Sequence, residues 1–358
     1  MIKYLGSKRL LVPVLGDLAT GIGARTAVDL FTGTTRVAQE LKRRGLEVTA
    51  VDTATYSQVL GECFVSTDAA EVDHAALADE VARLDALPGT DGYVTETFCE
   101  RARFFQPHNG RRIDAVRDAI ERDHPEGPLR PLLLTSLLLA ADRVDSTTGL
   151  QMAYLKSWAP RSHADLELKV PDLLPGRGRT VRGDASVVVD ALPPVDLAYL
   201  DPPYNQHRYF TNYHVWETLV RWDRPEHYGV ACKRVDARDD LATRSVFNSR
   251  PRMPAALADL LRRTRASLVV ASCTDESWMA PELLVGALRD AGHERVAVLG
   301  FDSKRYVGAQ IGIHDGTGRR VGDVGRLRNV EYLVVAGDAE RVERATVAVA
   351  GTSRRESA

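Results

Sequence analysis

The segment 27–52 constrains the fold more than any other, because it has the pattern of a strand, a helix and a second strand in direct succession. An apolar run at 27–31 is followed by the turn Thr32-Gly33-Thr34-Thr35, a helical pattern at 36–44 that stops at Gly45, and a second apolar run at 48–52. Two strands joined by a crossover helix pair in parallel. The segment therefore predicts a parallel sheet that is covered by helices.

This alternation stops after residue 55 and resumes near residue 180. The intervening stretch is predicted to be mostly helical, most clearly at 75–87, 113–122 and 129–144. Later strands are predicted at 180–182, 195–200, 267–272, 295–300 and 330–336, with helices at 255–265 and 281–291. The predicted fold class is α/β, a doubly wound Rossmann-like sheet with a mostly helical inserted domain.

The domain boundaries follow from the same pattern. Residues 1–55 and 171–350 are predicted to form one discontinuous sheet domain, 56–170 the helical insertion, and 351–358 a flexible tail. The longest apolar stretch, 131–141, is about half the roughly 20 residues that a membrane span needs, and no signal peptide is evident. The four scattered cysteines form no CxxC pair. We therefore expect a cytoplasmic monomer with reduced, buried thiols and no metal site.

Three acids lie at the predicted carboxyl ends of strands, where open α/β sheets bind ligands: Asp29, Asp52 and Asp201. In the loop after the first strand, Gly33 allows the backbone to approach a ligand closely. Asp52 is placed to bind two ribose hydroxyls. The loop has too few glycines for a pyrophosphate, which favours an adenosine-type ligand such as S-adenosylmethionine. The alternative is an ordinary strand-to-helix turn.

The elbow Asp201-Pro202-Pro203-Tyr204 is the strongest chemical signal, and it follows the apolar strand pattern of Val195–Leu200. A rigid turn of this composition suits the exocyclic amino group of a flat heterocycle. Asp201 would accept one N–H, the carbonyl of Pro202 the other, and Tyr204 would stack on the ring. Two acceptors expose the nitrogen lone pair to a methyl donor, so the elbow predicts amine methylation of a base. The alternative is a structural turn with a surface tyrosine.

Together these motifs resemble a known family. The segment Asp29-Leu30-Phe31-Thr32-Gly33, with the elbow 172 residues after Asp29, is similar to the D12 class of DNA adenine N6-methyltransferases, which includes Dam-like and FokI-type modification methylases. The order of cofactor loop, insertion and elbow is the alpha arrangement of that class. Segments 3–8, 146–156, 183–184, 208–218 and 329–333 extend the resemblance over most of the chain. One departure is Thr35, which stands where the family loop commonly has a second glycine.

The resemblance implies S-adenosylmethionine as cofactor and double-stranded DNA as partner, with the target adenine flipped out of the duplex. It implies a cofactor site formed by Tyr4, Gly6, Lys8, Asp29, Phe31, Gly33, Asp52 and Asp184. The catalytic elbow would consist of Asp201, Pro202, Pro203 and Tyr204. The helical insertion becomes the expected target-recognition domain.

The charge pattern offers candidates for DNA contact. Residues 56–100 contain ten acids and one base, whereas 101–112 contain four arginines and no acid. Such a reversal can mark a surface that faces phosphates, although a solvated helix surface is an equal alternative. The DNA-binding candidates are Arg101, Arg103, Arg111, Arg112, Lys156, Arg161, Arg208, Tyr209 and Tyr213. Phe104 and Phe105 are expected in the core.

Three functions remain open from the sequence. The first is a DNA adenine N6-methyltransferase. The second differs only in the acceptor, cytosine N4 or adenine in RNA, because the same two acceptors serve any exocyclic amine. The third is a catalytically silent DNA-binding relative in which Thr35 blocks the cofactor. Cognate restriction or defence-system proteins are the other expected partners.

Overall fold

The computed structural model describes residues 2–3, 8–203, 209–240, 243–275, 277–304, 313–314, 320–322 and 328–355. The strands are β1 Thr26–Asp29, β2 Glu47–Asp52, β3 Gly178–Arg182, β4 Val195–Leu200, β5 His227–Tyr228, β6 Lys233–Arg234, β7 Ala266–Thr274, β8 Arg295–Lys304, β9 Ile313–His314, β10 Arg320–Gly322 and β11 Arg328–Gly337. Seven of them form one sheet with the order β3-β2-β1-β4-β7-β11-β8. The pairs from β3 to β7 are parallel, whereas β11 runs antiparallel to both of its neighbours.

Helices connect and cover these strands. The α-helices are α1 Leu11–Gly21, α2 Arg36–Arg43, α3 Thr55–Gly61, α4 His74–Asp85, α5 Pro107–Asp123, α6 Leu129–Val144, α7 Ala185–Val188, α8 Tyr209–Asn212, α9 His214–Arg221, α10 Asp236–Asp239, α11 Met253–Arg263, α12 Pro281–Asp290 and α13 Ala339–Arg355. Two π-helical segments, Glu62–Ser66 and Thr95–Arg101, lie between β2 and β3.

The sheet is covered on both faces. On β7, Leu268 and Val270 belong to the core beneath α1, α2 and α13, whereas Val269 and Ala271 belong to the core beneath α7, α11 and α12. This division follows from the two-residue period of a strand, which sends successive side chains to opposite faces. A strand with two buried faces is apolar throughout. The predicted doubly wound α/β fold is confirmed.

A third core lies in the helical region between β2 and β3. It joins apolar side chains from α3, α4, α5 and α6, and α9 packs into it although α9 follows the elbow in sequence. Arg117 on α5 secures α9, since its guanidinium donates to the carbonyls of Leu219 at 2.6 Å and Val220 at 3.1 Å. The chain after β4 therefore returns to the helical region before it re-enters the sheet. The role of this region in target recognition stays a prediction.

The sequence pattern did not indicate α1, α9 or α13. Seven of the eight residues of α9 are buried, and they include the polar His214, Glu217 and Thr218, so polarity does not mark the exposed side of this short helix. Pro13 and Gly16 obscure α1, although a proline in the first turn removes no helical hydrogen bond. α13 ends at Arg355, and the flexibility predicted for 351–358 stays a prediction. No helix among the described residues has the length and apolar character needed to cross a bilayer.

Candidate functional site

A cavity of about 580 Å³ opens at the carboxyl ends of β1, β2, β3 and β4, where the strand order reverses between β1 and β4. Open α/β sheets bind ligands at this edge, and small-molecule sites have volumes of roughly 300–1,000 Å³. The predicted residues that line it are Phe31, Asp52, Asp184, Asp201, Pro203 and Tyr209. The structure therefore unites the loop after β1 with the elbow after β4 around one ligand-sized space.

Asp52 is oriented by two backbone amides. Its Oδ2 accepts from the N–H of Gly33 at 2.8 Å, and its Oδ1 accepts from the N–H of Ala54 at 3.0 Å. Burial raises the pKa of this carboxyl, and the amide hydrogen bonds oppose the rise. Each oxygen has a second lone pair, so Asp52 can still accept hydroxyl groups from a ligand. Gly33 has a φ of 52°, which explains why glycine stands here.

Asp29 is a buried acid at the end of β1, directly before Leu30 and Phe31, which line the cavity. It is 1% exposed, and among the described residues its Oδ1 has no hydrogen-bond partner. Burial raises the pKa of Asp29 to about 7, and the nearby carboxylates of Asp201 and Asp52 contribute to the rise. A carboxylate in such surroundings is stabilised by a cation. The site therefore favours a ligand with a positive charge on this side.

Lys8 contacts the elbow directly. Its Nζ lies 3.0 Å from Oδ1 of Asp201, and the side chain is buried. The carbonyl of Lys8 accepts from the N–H groups of Leu11 and Val12, which fixes the residue at the start of α1. A charge-assisted contact to one oxygen orients the carboxylate and keeps it an acceptor. Lys8 was expected at the cofactor, and the structure places it against Asp201.

Asp184 follows β3 and begins α7. Its Oδ1 accepts from the N–H of Ser186 at 2.8 Å, which is an N-cap interaction. The residue is half-buried and borders the cavity. The cap holds one oxygen in place, and the carboxylate retains further acceptor capacity toward the cavity.

Thr35 adopts a left-handed conformation, with φ 64° and ψ 13°, immediately before α2. A β-branched residue in this region is strained, at a cost of about 1–2 kcal/mol. The side chain is buried, and it forms local hydrogen bonds: Oγ1 donates to the carbonyl of Thr34 at 2.7 Å and accepts from Nε2 of Gln39 at 2.8 Å. Glycine adopts this backbone conformation without strain, and this chain adopts it with a threonine.

Most of the lining residues that sequence analysis missed come from the segment after the elbow. Phe210, Glu217, Arg221, Asp240, Thr243, Arg244, Ser245, Phe247 and Asn248 line the cavity. Phe247 is buried and packs edge to face on Phe31, with ring centroids 5.1 Å apart. No motif points to the lining residues after 218, because long-range packing alone brings them to the site. The resemblance at 208–218 was the available signal for part of this wall.

Most predicted DNA-contacting arginines are on the surface of the helical region and pair with acids. These pairs are Arg101 with Glu96, Arg111 with Asp91, Arg112 with Asp85 and Arg161 with Asp145. Arg103 donates to the carbonyl of Lys156 at 2.7 Å and lies over the ring of Trp158. The pairs of Arg101 and Arg111 are exposed, and exposed ion pairs are weak, so these two arginines can exchange the acid for a phosphate, whereas the acid that binds Arg161 is buried. The DNA role of these residues stays a prediction.

Two aromatic predictions had different outcomes. Tyr213 is fully buried and stacks against Tyr209, with ring centroids 6.3 Å apart, so its prediction as a DNA contact was wrong. The sequence could not distinguish it from Tyr209, which is half-buried and lines the cavity. Phe104 and Phe105 are each 1% exposed, which confirms that they belong to the core.

Four predicted site residues lie outside the described residues: Tyr4, Gly6, Tyr204 and Arg208. Pro202 is buried, and Pro203 borders the cavity. All four cysteines are buried, as expected. No group of three or more metal-ligating side chains is present in the part of the chain that the structure describes.

The fold and the cavity define a doubly wound α/β protein with a ligand site at its switch point. A family model described as D12 class N6 adenine-specific DNA methyltransferase matches residues 4–256. The match covers the loop after β1, the helical region and the elbow. The chain belongs to this family.

Three curated relatives are similar to this chain. "Modification methylase StsI" of Streptococcus sanguinis is 26% identical over 307 residues, which cover 81% of this chain and 46% of that protein. "Type II methyltransferase M.FokI" of Planomicrobium okeanokoites is 25% identical over 312 residues, 81% of this chain and 47% of that protein. "Type II methyltransferase M.NlaIII" of Neisseria lactamica is 29% identical over 238 residues, 62% and 70% respectively. The chain spans about half the length of the first two relatives.

Proposed function

We propose that this chain transfers a methyl group from S-adenosylmethionine to N6 of a flipped-out adenine in double-stranded DNA. The observation that carries the proposal is the single cavity shared by the loop after β1 and the elbow after β4. Membership of the D12 class supports adenine in DNA as the acceptor. The names of the relatives, modification methylases and type II methyltransferases, support site-specific modification.

The residues around the cavity fit S-adenosylmethionine. Asp52 would bind the ribose hydroxyls and Asp184 the adenine amino group, while the unpartnered, buried Oδ1 of Asp29 would compensate the ammonium charge. The loop residues Phe31 and Gly33 would lie against the cofactor. When bound, the cofactor supplies a methyl group on a positively charged sulfur.

The elbow supplies the acceptors for the target amine. One carboxylate oxygen of Asp201 is occupied by Lys8, and we assign the other oxygen to an N–H of the adenine. The carbonyl of Pro202 would accept the second N–H. Asp201 is then also placed to take the proton that the nitrogen loses after methylation. The cost of flipping a base, a few kcal/mol, would be offset by stacking on aromatic side chains at the cavity, such as Tyr209.

Asp201→Asn tests this role. The side chain of asparagine has one acceptor oxygen, so it cannot accept from both Lys8 and the target amine. Methyl transfer should therefore fall by about 100-fold or more. Cofactor affinity, measured by calorimetry with S-adenosylmethionine, should change by less than about threefold because Asp201 does not hold the cofactor. Transfer is measured with tritiated cofactor on unmethylated DNA, which is then digested to nucleosides.

The control is Glu340→Gln, which removes an exposed carboxylate on α13. This substitution should leave methyl transfer unchanged. Label in N6-methyladenosine from DNA supports the proposal. Label in cytosine or only in RNA contradicts the proposed acceptor, and cofactor binding without any transfer by the wild-type chain contradicts the activity. Absence of cofactor binding would favour the catalytically silent relative.

The cellular setting is part of the same proposal. We infer a cytoplasmic, monomeric enzyme that acts beside restriction or defence-system proteins. The names of the relatives support the association with restriction and modification. Size-exclusion chromatography with light scattering tests the oligomeric state.

A further inference from the structure

Two buried hydroxyl groups lie behind the elbow. The hydroxyl of Tyr199 is 3.0 Å from Oγ of Ser272, and Oγ of Ser272 is 2.6 Å from Oδ1 of Asp201. Tyr199 is on β4, two residues before Asp201, and Ser272 is on the neighbouring parallel strand β7. Both side chains are 1% exposed. The strand pairing therefore fixes this chain of groups beneath the elbow.

The chemistry of the three groups sets the direction of the hydrogen bonds. Ser272 has one hydroxyl proton and donates it to the carboxylate of Asp201. Its oxygen is then free to accept, so Tyr199 must be the donor in the second bond. Burial raises the pKa of Tyr199 well above its ordinary value, which keeps its proton available. The bonds therefore run from Tyr199 to Ser272 to Asp201.

This chain of bonds ends on one carboxylate oxygen. Ser272 at 2.6 Å and Lys8 at 3.0 Å both bind Oδ1 of Asp201. The two oxygens of a free carboxylate are equivalent, because the group can rotate and exchange them. Two donors bound to one oxygen make the two oxygens distinct. Oδ2 is then the oxygen presented to the target amine. Displacements of about 1 Å at a reacting centre can reduce rates by about 100-fold.

We propose that Ser272, and Tyr199 acting through Ser272, are positioning residues that hold Asp201 in the orientation required for methyl transfer. The proposal rests on the proposed function. Neither hydroxyl contacts the substrate, and each acts only on the geometry of Asp201. Removal of these hydroxyls should therefore affect kcat and leave the KM for the cofactor nearly unchanged.

The test compares Ser272→Ala, Tyr199→Phe and the double variant in the full chain, by steady-state transfer to DNA. Ser272→Ala should lower kcat by about 10- to 100-fold, and the KM for the cofactor should stay within about twofold. Tyr199→Phe should lower kcat by only about threefold. The double variant should equal Ser272→Ala, because Tyr199 has no route to Asp201 once Ser272 lacks its hydroxyl.

The controls remove a serine hydroxyl and a partly buried tyrosine hydroxyl elsewhere in the molecule. Ser136→Ala deletes a hydroxyl that donates to the carbonyl of Lys169, and Tyr93→Phe deletes one that donates to the carbonyl of Pro225. Both should lower thermal stability slightly and leave kcat unchanged. If they reduce kcat as much as Ser272→Ala does, the effect is structural and the proposal is overturned.

The outcomes separate this inference from the proposed function. If the wild-type chain transfers methyl groups and Ser272→Ala has an unchanged kcat, only the positioning role is overturned. If the kcat losses of the two single variants multiply in the double variant, Tyr199 does not act through Ser272. A wild-type chain that transfers no methyl group contradicts the proposed function, and the inference then fails with it.

Discussion

At the scale of single residues, the site depends on carboxylates whose surroundings differ. Asp52 and Asp184 are held by backbone amides, Asp201 by side-chain donors, and Asp29 has an unpartnered oxygen. Sequence analysis located Asp29, Asp52 and Asp201 because acids at the carboxyl ends of strands form a simple pattern, and it located Asp184 through the family resemblance. It could not assign their partners, since Lys8 and Ser272 reach Asp201 only through the assembled sheet.

The raised pKa of Asp29 predicts a pH-dependent effect of Asp29→Asn. The folded-state pKa of about 7 lies above the ordinary value of 3.8, because burial disfavours the charged form. Ionisation of Asp29 therefore lowers stability as the pH rises from about 4 to about 7, and the full penalty is present above that. Asp29→Asn should be more stable than the wild-type chain at pH 8, by up to a few kcal/mol. This difference should shrink toward zero at pH 4.

Thermal unfolding of the cofactor-free protein at several pH values measures this difference. Asp196→Asn is the control of opposite sign, because hydrogen bonds from Arg25 and Thr26 outweigh burial and lower the pKa of Asp196. That stabilisation is present above the ordinary pKa and is lost as the pH falls. Asp196→Asn should therefore be less stable than the wild-type chain at pH 8. An Asp29→Asn variant that is less stable at pH 8 would contradict the account of Asp29.

Thr35 shows what a sequence comparison can and cannot establish at one position. The missing glycine was visible in the sequence, but whether the turn still formed was not. The structure has the left-handed turn with a threonine in it, with local hydrogen bonds that offset part of the strain. Strain of this kind often occurs beside functional sites.

At the scale of elements, α9 connects the elbow to the loop after β2. Oε2 of Glu217 accepts from the N–H groups of Thr55 at 3.0 Å and Tyr56 at 3.3 Å, at the start of α3. Glu217 is 1% exposed and borders the cavity. A carboxylate on α9 therefore supplies the N-terminal hydrogen bonds that α3 lacks within its own sequence.

Glu217→Ala should destabilise the protein by about 1–3 kcal/mol, because two amide groups lose their acceptor in a buried setting. Glu217→Gln should cost less, since its carbonyl oxygen can still accept. Denaturant unfolding measures both variants, with exposed Glu226→Ala as the control. Equal stability of Glu217→Ala and Glu226→Ala would show that Glu217 does not hold α3.

The elements themselves were predictable to different degrees. β4 and α6 lie at the predicted positions, because an apolar strand before a proline elbow and a long apolar helix are unambiguous. α9 was missed because it is short and buries polar side chains together with apolar ones, so polarity does not mark its exposed side. The short strands β5 and β6 were missed since their pairing is set by the surrounding chain.

At the scale of the molecule, two distant segments form one site because the sheet is doubly wound. β1 and β4 are adjacent in the sheet although 172 residues separate Asp29 from Asp201. The helical region occupies most of that interval, and α9 packs against it from beyond the elbow. The fold class followed from the sequence pattern, but the wall formed by the segment after the elbow required the three-dimensional packing.

The most direct test of the central claim, that this cavity methylates adenine in DNA, is modified-base sequencing of genomic DNA. A bacterial host that lacks adenine methylation would express the wild-type chain or Asp201→Asn. The account predicts N6-methyladenine at one recurring sequence with the wild-type chain and near-background levels with Asp201→Asn. Modified cytosine, or equal adenine modification in both strains, would contradict it.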